Sequence, residues 1–178
     1  MQRVYAFNEG TAQMKDILGG KGANLAEMTR LGLPVPKGFT ISAKACLEFL
    51  NHGEVLLDEL KAEIDQYIQQ LEQDTGKKFD GAENLLLVSV RSGAKISMPG
   101  MMDTILNVGL NDHTVETLAQ ETQDYRFAYD CYRRLLQMYG NVVFGMDGSK
   151  FERILDQHKK AAHARYDSDL TADQLKAV

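Results

Sequence analysis

A helix-rich α+β (mixed α/β) fold is the class this sequence predicts, and three observations carry it. Apolar residues recur at helical spacing over most of the 178 residues. The branched, strand-like runs are short and well separated, at 4–7, 39–41, 85–90 and 104–108. Beyond Leu110 only helical patterns remain, so the strands all fall in the first three fifths of the chain. The expected division is therefore 1–110 as a mixed first lobe and 111–178 as a helical subdomain.

Composition narrows the classes. A hydrophobic fraction of 44% and a charged fraction of 25% are ordinary for a globular protein. No window approaches the roughly 18 consecutive apolar residues of a membrane helix. The first residues, MQRVYAFNEG, lack the apolar core of a signal peptide. Cys46 and Cys131 fall in helical patterns and read as two buried thiols in a reducing compartment, so the location expected is cytoplasmic. The net charge of −5 divides into +2 over residues 1–50, −6 over 51–84, +1 over 85–110 and −2 over 111–178. A basic nucleic-acid face is excluded, but the mildly positive stretches leave room for a small anion.

The elements follow in order. Val4–Phe7 reads as a strand, and from Ala23 the residues Leu25, Met28 and Leu31 keep helical spacing up to Gly32. Gly19, Gly20, Lys21 and Gly22 thus stand just before a helix, where backbone N–H groups and the helix dipole favour an anion. The alternative is a glycine-rich helix start with a solvated lysine. A Walker A loop is ruled out, because Lys15 stands where its first glycine belongs and Gly22 where its Ser or Thr belongs. Pro34 and Pro36 enforce extended chain into a strand at Phe39–Ile41. Ser42 caps a helix whose buried stripe is expected to be Ala43, Cys46, Leu47 and Leu50, with Gly53 ending it. A helix over 54–72 places Leu57, Leu60, Ile64, Ile68 and Leu71 on one face and a solvated acidic face opposite.

The run Leu85–Val90 reads as a strand buried on both faces that delivers Arg91 at its C-terminal end. Gly93, Pro99 and Gly100 supply turn residues before a second strand at Thr104–Val108. Strand alternation puts Leu87, Ser89 and Arg91 on one face. An arginine fork binds phosphate oxygens bidentately and a lysine adds a movable point charge, so Lys21 and Arg91 together make a candidate phosphate clamp. The competing reading pairs Arg91 with an acid such as Asp103. Helices then start near Asn111, Asp124 and Ser149, the last running to about Arg165. Aromatics at 125, 127, 129, 132 and 139 are assigned to core and interface. Thr171 and Gln174 have capping-box spacing, and a helix so announced that stops at Val178 marks a piece of a longer protein.

The stretches LGGKGANLAEMTRLGLPVPKGFTI and LLVSVRSGAKISMPGMMDTILNVGLND closely resemble the N-terminal region of the pyruvate, phosphate dikinase family. RFAYDCYRRLLQMYG and DLTADQLK look like its helical insertion, so the resemblance covers essentially the whole chain. It implies the first lobe of an ATP-grasp nucleotide-binding domain with a helical subdomain. It also implies that Lys21 and Arg91 contact ATP phosphates and act in catalysis, with Thr104 and the methionine-rich loop nearby in the nucleotide site. The family's full-length enzyme interconverts ATP, phosphate and pyruvate with AMP, pyrophosphate and phosphoenolpyruvate through a phosphohistidine, with magnesium.

What the resemblance leaves outside these 178 residues is equally specific. The second ATP-grasp lobe with its acidic magnesium ligands, the phosphohistidine domain and the pyruvate-binding barrel are expected elsewhere in the polypeptide, which would form a homodimer. No metal ligand is expected here, and His52, His113, His158 and His163 read as ordinary helical histidines. Alone, the chain is expected to be inactive. The alternatives are a phosphoenolpyruvate synthase-like dikinase and a non-catalytic interaction module on the same scaffold. No nucleic-acid or membrane partner is expected.

Overall fold

The computed structural model describes residues 2–93 and 103–178. The turn expected at Pro99–Gly100 and the methionine-rich loop lie outside the described residues. The chain divides into two compact units, 1–76 with 92–102, and 77–91 with 103–178. Leu110, where the sequence placed a boundary, falls inside the second unit. Both units mix helices with a small antiparallel sheet, as expected of a helix-rich α+β chain.

In the first unit, β1 (Val4–Ala6) pairs antiparallel with β2 (Phe39–Ile41), Tyr5 opposite Thr40. Helices α1 (Lys15–Arg30), α2 (Ala43–Asn51) and α3 (Asp58–Thr75) complete it. Val4, fully buried, packs with Ala45 of α2 and Leu60 of α3. Glu63 of α3 fixes that strand, one carboxylate oxygen accepting from the N–H groups of Arg3 and Val4 at 2.8 Å each. The apolar face foreseen for α3 is the one that packs, with Leu57, Leu60, Ile64 and Leu71 on it.

Two expectations need correction here. Ser42 does cap α2, accepting from the Ala45 N–H at 3.3 Å. But Ser42 and Ala45 turn inward, and this phase leaves Cys46, Leu47 and Leu50 exposed, not buried. Cys46 is therefore an exposed free thiol and Cys131 a half-buried one. The second helix begins at Asp58 rather than Glu54, because Gly53 and Glu54 both take left-handed φ, 70° and 63°. Two such residues in succession reverse the chain and delay helix nucleation to the Leu57 cap.

Arg3 Nε lies 2.6 Å from Glu48 Oε2, joining the start of β1 to α2. The hydrogen bond from Arg3 holds the Glu48 carboxyl below its ordinary value of 4.5, against a smaller opposing effect of burial. A carboxyl lowered on folding stabilises the fold above its unfolded value and loses that contribution as pH falls through the folded one. The urea midpoint of the first unit is thus expected to drop on acidification below pH 4.5. Glu48→Gln should flatten part of that slope. An identical slope in that variant would remove Glu48 as a contributor.

The second unit holds β3 (Val88–Arg91) and β4 (Thr104–Val108), a two-stranded antiparallel pair. Leu85 and Leu86 are buried, yet Ser89, Val90 and Arg91 are exposed. The strand buried on both faces is therefore corrected: its root is anchored and its tip stands clear. The anchoring is local, through a bridge from Lys78 to Leu85 and the Leu85 N–H donating to Glu121 at 3.1 Å.

Four helices follow, α4 (Thr114–Thr122), α5 (Tyr125–Val142), α6 (Gly148–Ala161) and α7 (Ala172–Ala177). Their common core contains Leu118, Leu135, Leu155 and Leu170 together with Leu85 and Ile105 of the hairpin segment. Side chains of Asp124, Asp147 and Thr171 cap α5, α6 and α7. The Thr171–Gln174 box forms as its spacing foretells. Helix α6 stops at Ala161, four residues before Arg165, with His163 at φ 53° just beyond it. Of the aromatics on α5, Tyr129 is buried, donates to Glu116 and lies under Lys176, 5.2 Å from its Nζ, whereas Tyr125, Phe127 and Tyr139 are exposed.

Candidate functional site

Lys21 sits in the first unit, on α1. The glycine-rich stretch, expected just before a helix, lies within α1. Helical residues precede it from Lys15, and the break is the single residue Gly19 at φ 70°, ψ 172°. That conformation is essentially restricted to glycine. The helix restarts at once, so Lys21 lies in the first turn after the break. Gly22 serves packing rather than a backbone cradle: a Cβ there would come within 2.9 Å of Thr40 Cγ2 on β2. The close approach fixes the restarted helix against the sheet and leaves Lys21 on its rim. Lys21 Nζ points to the Ser92 carbonyl oxygen at 3.5 Å, the outer limit of a hydrogen bond.

Arg91 and Thr104 belong to the second unit, and there they are brought together. They are the terminal cross-strand pair of the hairpin, Arg91 at the end of β3 and Thr104 at the start of β4. Arg91 is exposed and forms no ion pair with a described residue. The alternative in which it is consumed by a core-edge acid has no support in this geometry. Directly opposed residues share a sheet face, so the guanidinium and the Thr104 hydroxyl project to the same side.

A cleft elsewhere in the first unit, of about 230 Å³, is walled by Phe7, Phe39 and Tyr67 with Lys37 and Asp74 among its polar lining. Burial and a hydrogen bond to Glu9 push the Tyr67 hydroxyl up to about 12, so it stays protonated. None of the expected site residues lines it. Sequence reasoning also passed over Asn107, whose backbone shapes the hairpin. The signal available was an Asn two residues before a Gly inside a strand pattern.

The chain belongs to the family described as the pyruvate phosphate dikinase, AMP/ATP-binding domain, whose profile matches residues 15–71 and 55–173. Lys21, Arg91 and Thr104 all fall within the matched stretches. Among named relatives, it is 55% identical over 175 residues to pyruvate, phosphate dikinase of Clostridium symbiosum, covering 98% of this chain. It is 48% identical over 178 residues to that of Entamoeba histolytica and 50% identical over 182 residues to the chloroplastic enzyme of Mesembryanthemum crystallinum, both covering all of it. The chain spans about one fifth of the length of these relatives. Among the described residues no helix is long and apolar enough to cross a membrane.

Proposed function

We propose that this chain supplies one jaw of the ATP site of a pyruvate, phosphate dikinase, the first lobe of an ATP-grasp domain with its helical subdomain. The observation that carries the reading is the family match across both cations, the half-buried Lys21 and the exposed Arg91. Lys21, on the first turn after a helix break, offers a movable point charge to a phosphate oxygen. Arg91 offers a planar fork, and the Thr104 hydroxyl beside it can donate to a phosphate oxygen. In the nucleotide site that the family resemblance implies, the role of each is to neutralise polyphosphate charge and to stabilise the charge that spreads over the transferred phosphoryl oxygens.

Among the described residues no three of His, Cys, Asp and Glu gather into a cation-holding group. The family resemblance assigns the protein ligands of the magnesium that accompanies ATP to the second lobe, and no role given to Lys21 or Arg91 depends on it. In the longer polypeptide the reaction is the interconversion of ATP, phosphate and pyruvate with AMP, pyrophosphate and phosphoenolpyruvate through a phosphohistidine carried on another domain. The partners are then the second lobe, that domain and a pyruvate-binding barrel, in a cytoplasmic homodimer.

Titration of the isotope-labelled chain with ATP to millimolar concentration is the direct test. Amide and side-chain shifts are expected at Lys21, Arg91 and Thr104, with weak affinity because one jaw closes alone. Shifts confined to other residues would overturn the site. Micromolar affinity would overturn the half-site reading.

A further inference from the structure

The hairpin that presents Arg91 is not a regular ladder. Val88 opposes Val108, but Val90 opposes Ile105, so Leu106 and Asn107 together face Ser89 and β4 carries one residue more than β3. The extra residue is accommodated by Asn107 at φ 61°. That left-handed conformation suits a bulge and is uncommon outside glycine, with asparagine among the few side chains that take it readily. The Asn107 side chain is itself tied down, its Nδ2 donating to the Cys131 carbonyl oxygen of α5 at 3.3 Å.

The bulge decides what stands opposite Arg91. Continued without interruption from Val88–Val108, the ladder would oppose Arg91 with Ile105. Ile105 is only 8% exposed and belongs to the core of the second unit. Because opposed residues share a face, that register would direct the guanidinium to the side on which Ile105 is buried. With the bulge, Ile105 faces the core opposite Val90, and Arg91 meets Thr104 instead. A slip of one residue separates the two arrangements.

We infer that Asn107 is a positioning residue: by holding the β4 bulge in place it pairs Arg91 with Thr104 and aims the guanidinium at the anion. The inference rests on the reading of Arg91 as a phosphate contact. Asn107 touches no phosphate; it acts through register, and α5 is the fixed body against which that register is set.

The test uses the 178-residue chain with Asn107→Val, Asn107→Gly and, as a control, Arg91→Ala, with ATP as the probe. Two quantities are read, the cross-strand nuclear Overhauser contacts of Arg91 and the ATP dissociation constant. Valine disfavours the left-handed conformation, so Asn107→Val is expected to lose the Arg91–Thr104 contacts and weaken ATP by about tenfold. Glycine takes that conformation freely and should rescue, keeping the contacts and an affinity within about threefold of the parent chain. Should the valine variant fail to fold, Asn107→Ala applies the same bias with less steric demand. Retention of both the contacts and the affinity in the valine or alanine variant would overturn the inference. So would a glycine variant as impaired as the valine one. If Arg91→Ala leaves ATP binding unchanged, the phosphate reading of Arg91 fails, while the contacts to Thr104 still decide whether Asn107 sets the register.

Discussion

If the proposed function holds, Arg91→Ala in the longer polypeptide is expected to slow phosphoryl transfer from ATP by about 10²–10³-fold, the range seen when a single preorganised charge-stabilising donor is removed. Lys21→Ala should act in the same direction. On the proposed reading, phosphoryl exchange between a phosphohistidine and pyruvate should proceed at the parent rate, because that reading gives neither cation a part in it. Arg91→Lys keeps the charge but loses the planar fork, so it should remain clearly impaired. The exposure of Arg91 at a hairpin tip makes this a clean comparison, since its truncation removes little packing. Rapid-quench measurement of each half-reaction separates the outcomes. Equal loss in both would point to a folding defect and sink the assigned role.

Features written in a few adjacent residues were legible from the sequence. Ser42 at a helix cap, Phe39–Ile41 and Thr104–Val108 as strands, and the Thr171–Gln174 box all appear where local chemistry puts them. The misses share a different character, because each depends on what an element meets in space. Helical spacing on α2 allowed two phases, and packing of Ala45 against Val4 and Leu60 selected the one that exposes Leu47 and Leu50. An apolar run such as Leu85–Val90 is compatible with burial on both faces, but burial needs neighbours, and among the described strands β3 pairs with β4 alone. The glycines around Lys21 looked alike in sequence; one breaks a helix and another admits Thr40. For the site, residue type and family resemblance singled out Lys21, Arg91 and Thr104, but the bulge that pairs two of them lies in backbone geometry that alternation alone does not encode.

The largest expected effect on stability lies at Leu170, which is not among the candidate site residues. Its side chain is 1% exposed and joins the core shared with Leu135, Leu155 and Leu175. Truncating a fully buried leucine costs about 2–5 kcal/mol, and where a site falls in that range depends on how far the surroundings can collapse into the cavity. Here the backbone around the side chain is clamped. Arg126 Nε donates to the carbonyl oxygens of Ser168 and Leu170 at 3.1 Å each, and its Nη2 donates to that of Asp167 at 2.9 Å. Lys159 Nζ holds the Asp167 carboxylate at 3.0 Å. A segment so tethered cannot follow the lost methyl groups inward, so Leu170→Ala should fall in the upper half of that range. Leu175 is nearly as buried but lies on the six-residue α7, which has more freedom to shift and refill the space. Leu175→Ala should therefore cost less. Hydrogen exchange at the Ala119 and Leu135 amides, read with urea unfolding, measures both variants. A loss at Leu170 below about 1 kcal/mol, or one smaller than at Leu175, would show that the Arg126 clamp does not hold this segment against collapse.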